Sequence, residues 1–226
     1  LQKSRSDKKA VILITSNRGL AGGYNSNAVK LLTKDERFTT ENTVVYAVGT
    51  KGRDSVEREG YTIAGDYSEA INEPLYADAS EIGKEVLSKF TMGEIGEIYL
   101  IYTIFKNTMV QIPTMMKLLP IDASDITADA EDVEENPIDR ITLMNYEPAP
   151  EEALNAIIPK YVNSLIFGGL VESHASENGA RMQAMDSATS NAEEMISDLS
   201  LKYNRARQAS ITQELTEIIA GASAIS

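Results

Sequence analysis

From Glu151 to its C-terminus the chain is written in one helical grammar, and no other feature constrains its fold as tightly. Met185, Thr189, Ala192, Ile196, Leu199, Tyr203, Ala206 and Ser210 recur at spacings of four and three, the signature of a coiled-coil seam with several small residues in it. A second row, Ile211, Leu215, Ile218, Ala222 and Ile225, continues the spacing one position over. Pro148 and Pro150 punctuate the entry, and Pro159 predicts a kink or a restart one or two turns inside. If continuous, a helix over residues 151–226 would be on the order of 100 Å long, at about 1.5 Å per residue. Such a helix cannot bury its seam alone, because helical stability in water comes mostly from packing of an apolar face. It requires a partner of similar length, and no other segment of the chain qualifies. The partner is then on another chain or on a missing part of this one, and the opening LQKSRSDKK, without an initiator methionine and reading like the middle of a longer protein, favours the second.

Residues 8 to about 146 follow a different grammar. Ala10–Thr15 (AVILIT) and Thr43–Val48 (TVVYAV) are short runs, apolar on consecutive positions, as in parallel strands buried on both faces. A short strand is expected around Tyr61 and Ile63, and a helix over Ala77–Phe90 with Ile82, Val86 and Leu87 as its apolar stripe. Glu97–Phe105 and Met109–Leu119 read as an antiparallel hairpin hinged at Lys106-Asn107, and Ile141–Tyr146 as a last strand. The alternation predicts an α/β, Rossmann-like layered domain with a mostly parallel sheet, followed by the long helix. Between about 121 and 140, Asp122, Asp125, Asp129, Glu131, Asp132, Glu134 and Glu135 form a solvated acidic loop; its spacing does not fit a calcium loop.

Composition removes several chemistries. The chain has no cysteine and one histidine, His174, which excludes thiolate zinc clusters, cysteine nucleophiles and histidine-rich metal sites. A net charge of -13 argues against a broad nucleic-acid-binding surface. No apolar run approaches the roughly 20 residues of a membrane span. Gly19, Gly22 and Gly23, between a strand and a helix, could aim backbone amides at a phosphate. Their spacing matches neither G-x-G-x-x-G nor a P-loop, so tight backbone approach, with Asn25 or Ser26 capping the helix, is the stronger reading. Gly49 and Gly52 around Lys51 read as a turn. Ser173, His174 and Glu177 lie within one helical turn, whereas a nucleophile triad needs groups converging from separate elements. Met182, Met185 and Met195 at helical spacing read as packing. No catalytic, cofactor or metal residue is assigned.

Two stretches carry a family resemblance. ITQELTEIIAGASA looks like the C-terminal signature of ATP synthase gamma subunits, and ARMQAMDSATSNAEEMI with YNRARQASITQELTEI is similar to that family's whole C-terminal helix. ITSNRGLAGGYNSN resembles the first strand and turn of the family's α/β domain, and the resemblance covers essentially the whole chain. It implies an N-terminal helix, antiparallel to the C-terminal one and absent here, which is the partner the seam demands. It further implies a non-catalytic rotor subunit of an F-type ATP synthase, transmitting torque between the ion-driven c-ring and the catalytic hexamer of alpha and beta subunits, with epsilon beside the α/β domain. By the same resemblance, Arg207, Gln208, Thr212 and Glu214 match positions that engage beta and alpha near the tip. Arg181 matches a shaft position implicated in rotor function, and Tyr146 lies near the ring or epsilon. The implied location is peripheral, on the cytoplasmic face of a bacterial cell membrane in preference to an organellar inner membrane, and the lack of cysteine speaks against the redox-regulated plastid type. The alternatives are a nucleotide-binding α/β enzyme using the Gly19–Gly23 turn and a coiled-coil adaptor; an adaptor has no reason to carry both motifs.

Overall fold

A computed structural model describes residues 6–121 and 150–225. The acidic segment, Tyr146 and the strand expected at 141–146 lie outside the described residues. In chain order the elements are β1 (Lys9–Ile14), α1 (Tyr24–Thr33), β2 (Thr43–Val48), α2 (Thr50–Arg58), β3 (Thr62–Asp66), a 3₁₀ turn (Ser68–Ile71), α3 (Tyr76–Thr91), β4 (Glu97–Phe105), β5 (Gln111–Leu119) and α4 (Pro150–Ile225). The strands form one sheet in the order β3-β2-β1-β4-β5. β1 runs parallel to β2 and β4, β2 runs parallel to β3, and only β5 is antiparallel, against β4. This is the mostly parallel α/β sheet expected from the alternation.

The consecutive apolar runs are explained by what covers the two faces. Ala10, Ile12 and Ile14 of β1, Tyr46 and Val48 of β2 and Leu100 of β4 point to one side, where they meet Ile82, Val86 and Phe90 of α3. The same side receives Val162, Ile166 and Leu170 of α4, all buried. Val11, Leu13, Val45 and Ile101 point to the other side and meet Ala28, Val29 and Leu32 of α1 and Val56 of α2. A strand alternates its side chains between faces, so a run apolar at every position is the pattern of a sheet sandwiched between helices.

Several local expectations are corrected. The glycine pair at 49 and 52 is not merely a turn: Gly49, at φ 102°, starts α2, and Gly52 lies buried inside that helix. An added Cβ at Gly49 would sit 2.3 Å from the Thr15 carbonyl oxygen, and one at Gly52 would sit 2.5 Å from Thr15 Oγ1. The two glycines therefore let α2 press onto the end of β1. Neither Asn25 nor Ser26 caps α1. Gly23 is the N-cap residue, with no side-chain cap; Asn25 Oδ1 instead accepts from the Ser16 backbone N–H at 2.9 Å and braces the β1–α1 turn. The short strand begins at Thr62, and Tyr61, just before it, donates its hydroxyl to the Phe38 carbonyl at 3.1 Å. The hairpin forms as expected, with Phe105 opposite Gln111. Its loop is fixed by Asn107 Oδ1, which accepts from the Met109 and Val110 amides at 2.9 and 2.8 Å. The helix assignment runs unbroken through Pro159, so no restart occurs there.

Contacts divide the chain inside α4, into residues 1–183 and residues 184–226. The first unit therefore takes in the beginning of the long helix as part of its core. In the second unit every described residue from Met185 to Ser223 is exposed.

Candidate functional site

In the β1–α1 turn the side chains of Ser16, Asn17 and Asn25 are engaged with their surroundings. Asn17 Nδ2 donates to the Ser68 carbonyl at 2.7 Å and to Asn72 Oδ1 at 3.0 Å, while Asn17 Oδ1 accepts from the Thr50 amide at 2.9 Å. The Lys51 amide, at the start of α2, donates to the Ser16 carbonyl at 3.1 Å. The donors that would face a phosphate at the head of α2 are spent tying the ends of β1 and β2 together. Among the described residues, no cluster of three or more His, Asp or Glu side chains could hold a metal ion.

Ser173, His174 and Glu177 point into three separate contacts. The buried Ser173 Oγ accepts from the Thr103 amide at 3.1 Å, His174 Nδ1 lies 2.9 Å from the Ile71 carbonyl oxygen, and Glu177 Oε1 pairs with Arg181 Nη2 at 2.7 Å. No triad forms. Each of the three ties α4 to the sheet domain or to its own next turn. Arg181 also reaches the Gly19 carbonyl at 3.4 Å, so the structure brings this sequence-predicted residue onto the glycine turn. Tyr24 closes the same region. Its hydroxyl donates to the Ser173 carbonyl at 3.1 Å, and burial pushes its phenol well above the usual tyrosine range.

The second unit supplies the other candidate surface. Ile196 is 64% exposed and Tyr203 is 68% exposed, and Met185, Met195, Leu199, Ile211, Leu215 and Ile218 are exposed with them. Arg207, Gln208, Thr212 and Glu214 lie on this stretch and are exposed. Thr212 Oγ1 donates back to the Gln208 carbonyl at 2.8 Å. A row of large apolar side chains at heptad spacing, exposed among the described residues, is a seam that a further helix or another chain would cover.

Comparison with known proteins assigns this arrangement. A family model described as ATP synthase matches residues 1–225. The ATP synthase gamma chain of Lachnoclostridium phytofermentans is 65% identical over 225 residues, which are 100% of this chain and 77% of the relative. The chain belongs to the ATP synthase gamma chain family. A sodium-ion-specific gamma chain from Acetobacterium woodii is 45% identical over 228 residues, with 96% of this chain and 75% of the relative covered. Among solved structures, a chain of the Euglena gracilis mitochondrial ATP synthase aligns with a TM-score of 0.69 at 20% identity, covering 98% of this chain and 74% of that one. A chain from the Tetrahymena thermophila central stalk and c-ring aligns at 0.59 and 24% identity, covering 83% and 80%. These structures share the fold of the gamma chain described here.

The hydrogen-bonding residues that join α4 to the sheet, Thr103, Glu172, Ser176 and Tyr24, were not singled out from sequence. The available signal was a helical face carrying Ser173, Ser176 and Ala180 in line with Val162, Ile166 and Leu170. A polar pair continuing an apolar stripe marks a helix that stays buried after its apolar contacts end.

Proposed function

We propose that this gamma chain is the central-stalk rotor subunit of an F-type ATP synthase, transmitting torque between an ion-driven c-ring and the catalytic hexamer of alpha and beta subunits, without catalytic chemistry of its own. The observation that carries the reading is the division of α4: its first part is built into the sheet domain, and its second part, from Met185 to Ser223, is wholly exposed with a heptad seam. A shaft combines a root fixed in the domain with a stem whose seam is covered by a further helix or by other subunits. Solved chains of central-stalk, rotor and c-ring assemblies that share this fold support the same assignment. Coupling then means that each rotor orientation favours one set of catalytic-site conformations by differential contact energy. Arg207, Gln208, Thr212 and Glu214 are the residues we assign to alpha and beta near the tip, Arg181 to the shaft, and Tyr146 to the neighbourhood of the ring or epsilon. Among the described residues, no helix is long and apolar enough to cross a membrane. We place the subunit peripherally, at the cytoplasmic face of a bacterial membrane, held there through its complex.

The test is reconstitution of the complete complex in vesicles with Arg207→Ala and Gln208→Ala in this chain. Loss of charge-assisted contacts at the tip should lower ion pumping per ATP hydrolysed. Pumping and hydrolysis both at wild-type levels would remove these residues from the contact set.

A further inference from the structure

We infer that Ser173, Ser176 and Glu172 of α4 form a directional lock that fixes the root of the helix to the end of β4, and that this lock is the joint through which torque passes between the sheet domain and the helix. The inference rests on the rotor reading above. In the sheet, β1 pairs with β4 only as far as Ile101. Two residues on, Thr103 stands opposite Pro113 of β5, which has no N–H to offer. Pro113 can offer nothing to the Thr103 carbonyl, and both the N–H and the carbonyl of Thr103 are answered from α4 instead. Ser173 Oγ accepts from the Thr103 amide at 3.1 Å, and Ser176 Oγ donates to the Thr103 carbonyl at 2.9 Å. Two residues further, Glu172 Oε2 accepts from the Phe105 amide at 2.8 Å. A helix thus answers β4 beyond its pairing with β1 for one donor–acceptor pair and one further donor.

This arrangement differs in kind from the rest of the α4 root. Val162, Ile166 and Leu170 hold the helix to the sheet by apolar burial, which is non-directional. Hydrogen bonds weaken steeply once donor and acceptor are misaligned, so small rotations of the helix against β4 must break them. Ser173, Ser176 and the Thr103 backbone are buried, so water cannot replace the bonds when they break. The lock lies at the end of β4, close to where the first unit ends at residue 183; Gly179 beside the Phe105 ring and Arg181 at the Gly19 carbonyl follow it.

The three are positioning residues, and the test reads stiffness together with assembly. The complete ATP synthase carrying this chain is immobilised by its catalytic hexamer, and the torsional stiffness of the rotor is read from the angular fluctuations of a probe on the c-ring. Two variants remove bonds: Ser173→Ala with Ser176→Ala, and Glu172→Ala. Glu172→Gln keeps a side-chain oxygen to accept from the Phe105 amide. The double serine variant should soften the rotor most, since two of the three directional bonds go. Glu172→Ala should soften it less, and Glu172→Gln should match wild type. If the serine variant fails to assemble, the half-buried Glu172 pair decides alone: softening by alanine and recovery by glutamine supports the lock. Wild-type stiffness in Glu172→Ala and in every removal variant that assembles overturns it. Wild-type complex whose probe does not turn with ATP overturns the rotor reading instead, and the two failures are therefore distinguishable.

Discussion

Two isoleucines on either side of the division in α4 give a sharp test of where the sheet domain stops. Ile166 is 0% exposed and packs in the cluster with Leu100 and Ile82, whereas Ile196 is 64% exposed. The same substitution, isoleucine to alanine, should have opposite consequences. At Ile166 the chain loses a buried side chain and gains a cavity in a tightly filled place: Ile166 Cδ1 lies 3.6 Å from where a Cβ on Gly83 would stand. The expected cost is about 2–5 kcal/mol. For a domain of this size each kcal/mol moves the melting temperature by about 2–4 °C, so Ile166→Ala should melt on the order of 10 °C lower. At Ile196 nothing is lost from the core, and alanine is the better helix former by a few tenths of a kcal/mol, so the isolated chain should be unchanged within about 0.5 kcal/mol. Urea unfolding of the purified chain at low concentration, followed by far-UV circular dichroism and by tyrosine fluorescence, measures both. Equal effects of the two substitutions would refute the division of the helix into a built-in root and an uncovered stem.

Other expectations follow from the same contacts. Ending the chain at residue 148 should abolish a cooperative melt of the sheet domain, because it uncovers the face that buries Val162, Ile166 and Leu170, worth about 1.5–3 kcal/mol each; a sharp transition close to that of the full chain would contradict this. Gly52→Ala should destabilise by about 1–3 kcal/mol through overpacking against Thr15, and millimolar ATP or NAD should leave the melting temperature of the wild type in place, whereas a rise with ligand would reinstate a nucleotide site at the glycine turn. Amides of 185–215 in the isolated chain should exchange with deuterium far faster than those of β1, and equal protection by mass spectrometry would show that the seam is covered. Hydrogen bonds from Ser68, with Arg53 beside it, hold the Asp66 carboxyl below its ordinary range. Its contribution is therefore present above the unfolded pKa of about 4 and lost as pH falls through the lower folded value. Wild type and Asp66→Asn should differ slightly near neutrality and converge in acid, and a gap that widens in acid would reverse the assignment.

The sequence by itself determined the elements whose burial is complete or whose repeat is long. AVILIT and TVVYAV are apolar at every position because helices cover both faces of the sheet, and that pattern survives without knowledge of which helices. The hairpin strands and the C-terminal helix were legible for the same reason, a period sustained over many residues. So was the exposed stretch carrying Arg207, Gln208, Thr212 and Glu214, because a heptad seam with no partner in this sequence stays uncovered. Helix α2 was not legible. TKGRDSVER buries only Gly52 and Val56, too little apolar periodicity to register, and it is held as a helix by its fit against Thr15 and β2. Nor did the change of grammar near residue 150 reveal that α4 begins inside the core. Helical periodicity reports that one face is apolar, but not whether a sheet or another chain covers it. The roles of Ser173, Ser176 and Glu172 lay further still from the sequence. They answer backbone groups of Thr103 and Phe105 that lie beyond the pairing of β4 with β1, and the length of one strand relative to its neighbour is fixed by the assembled sheet.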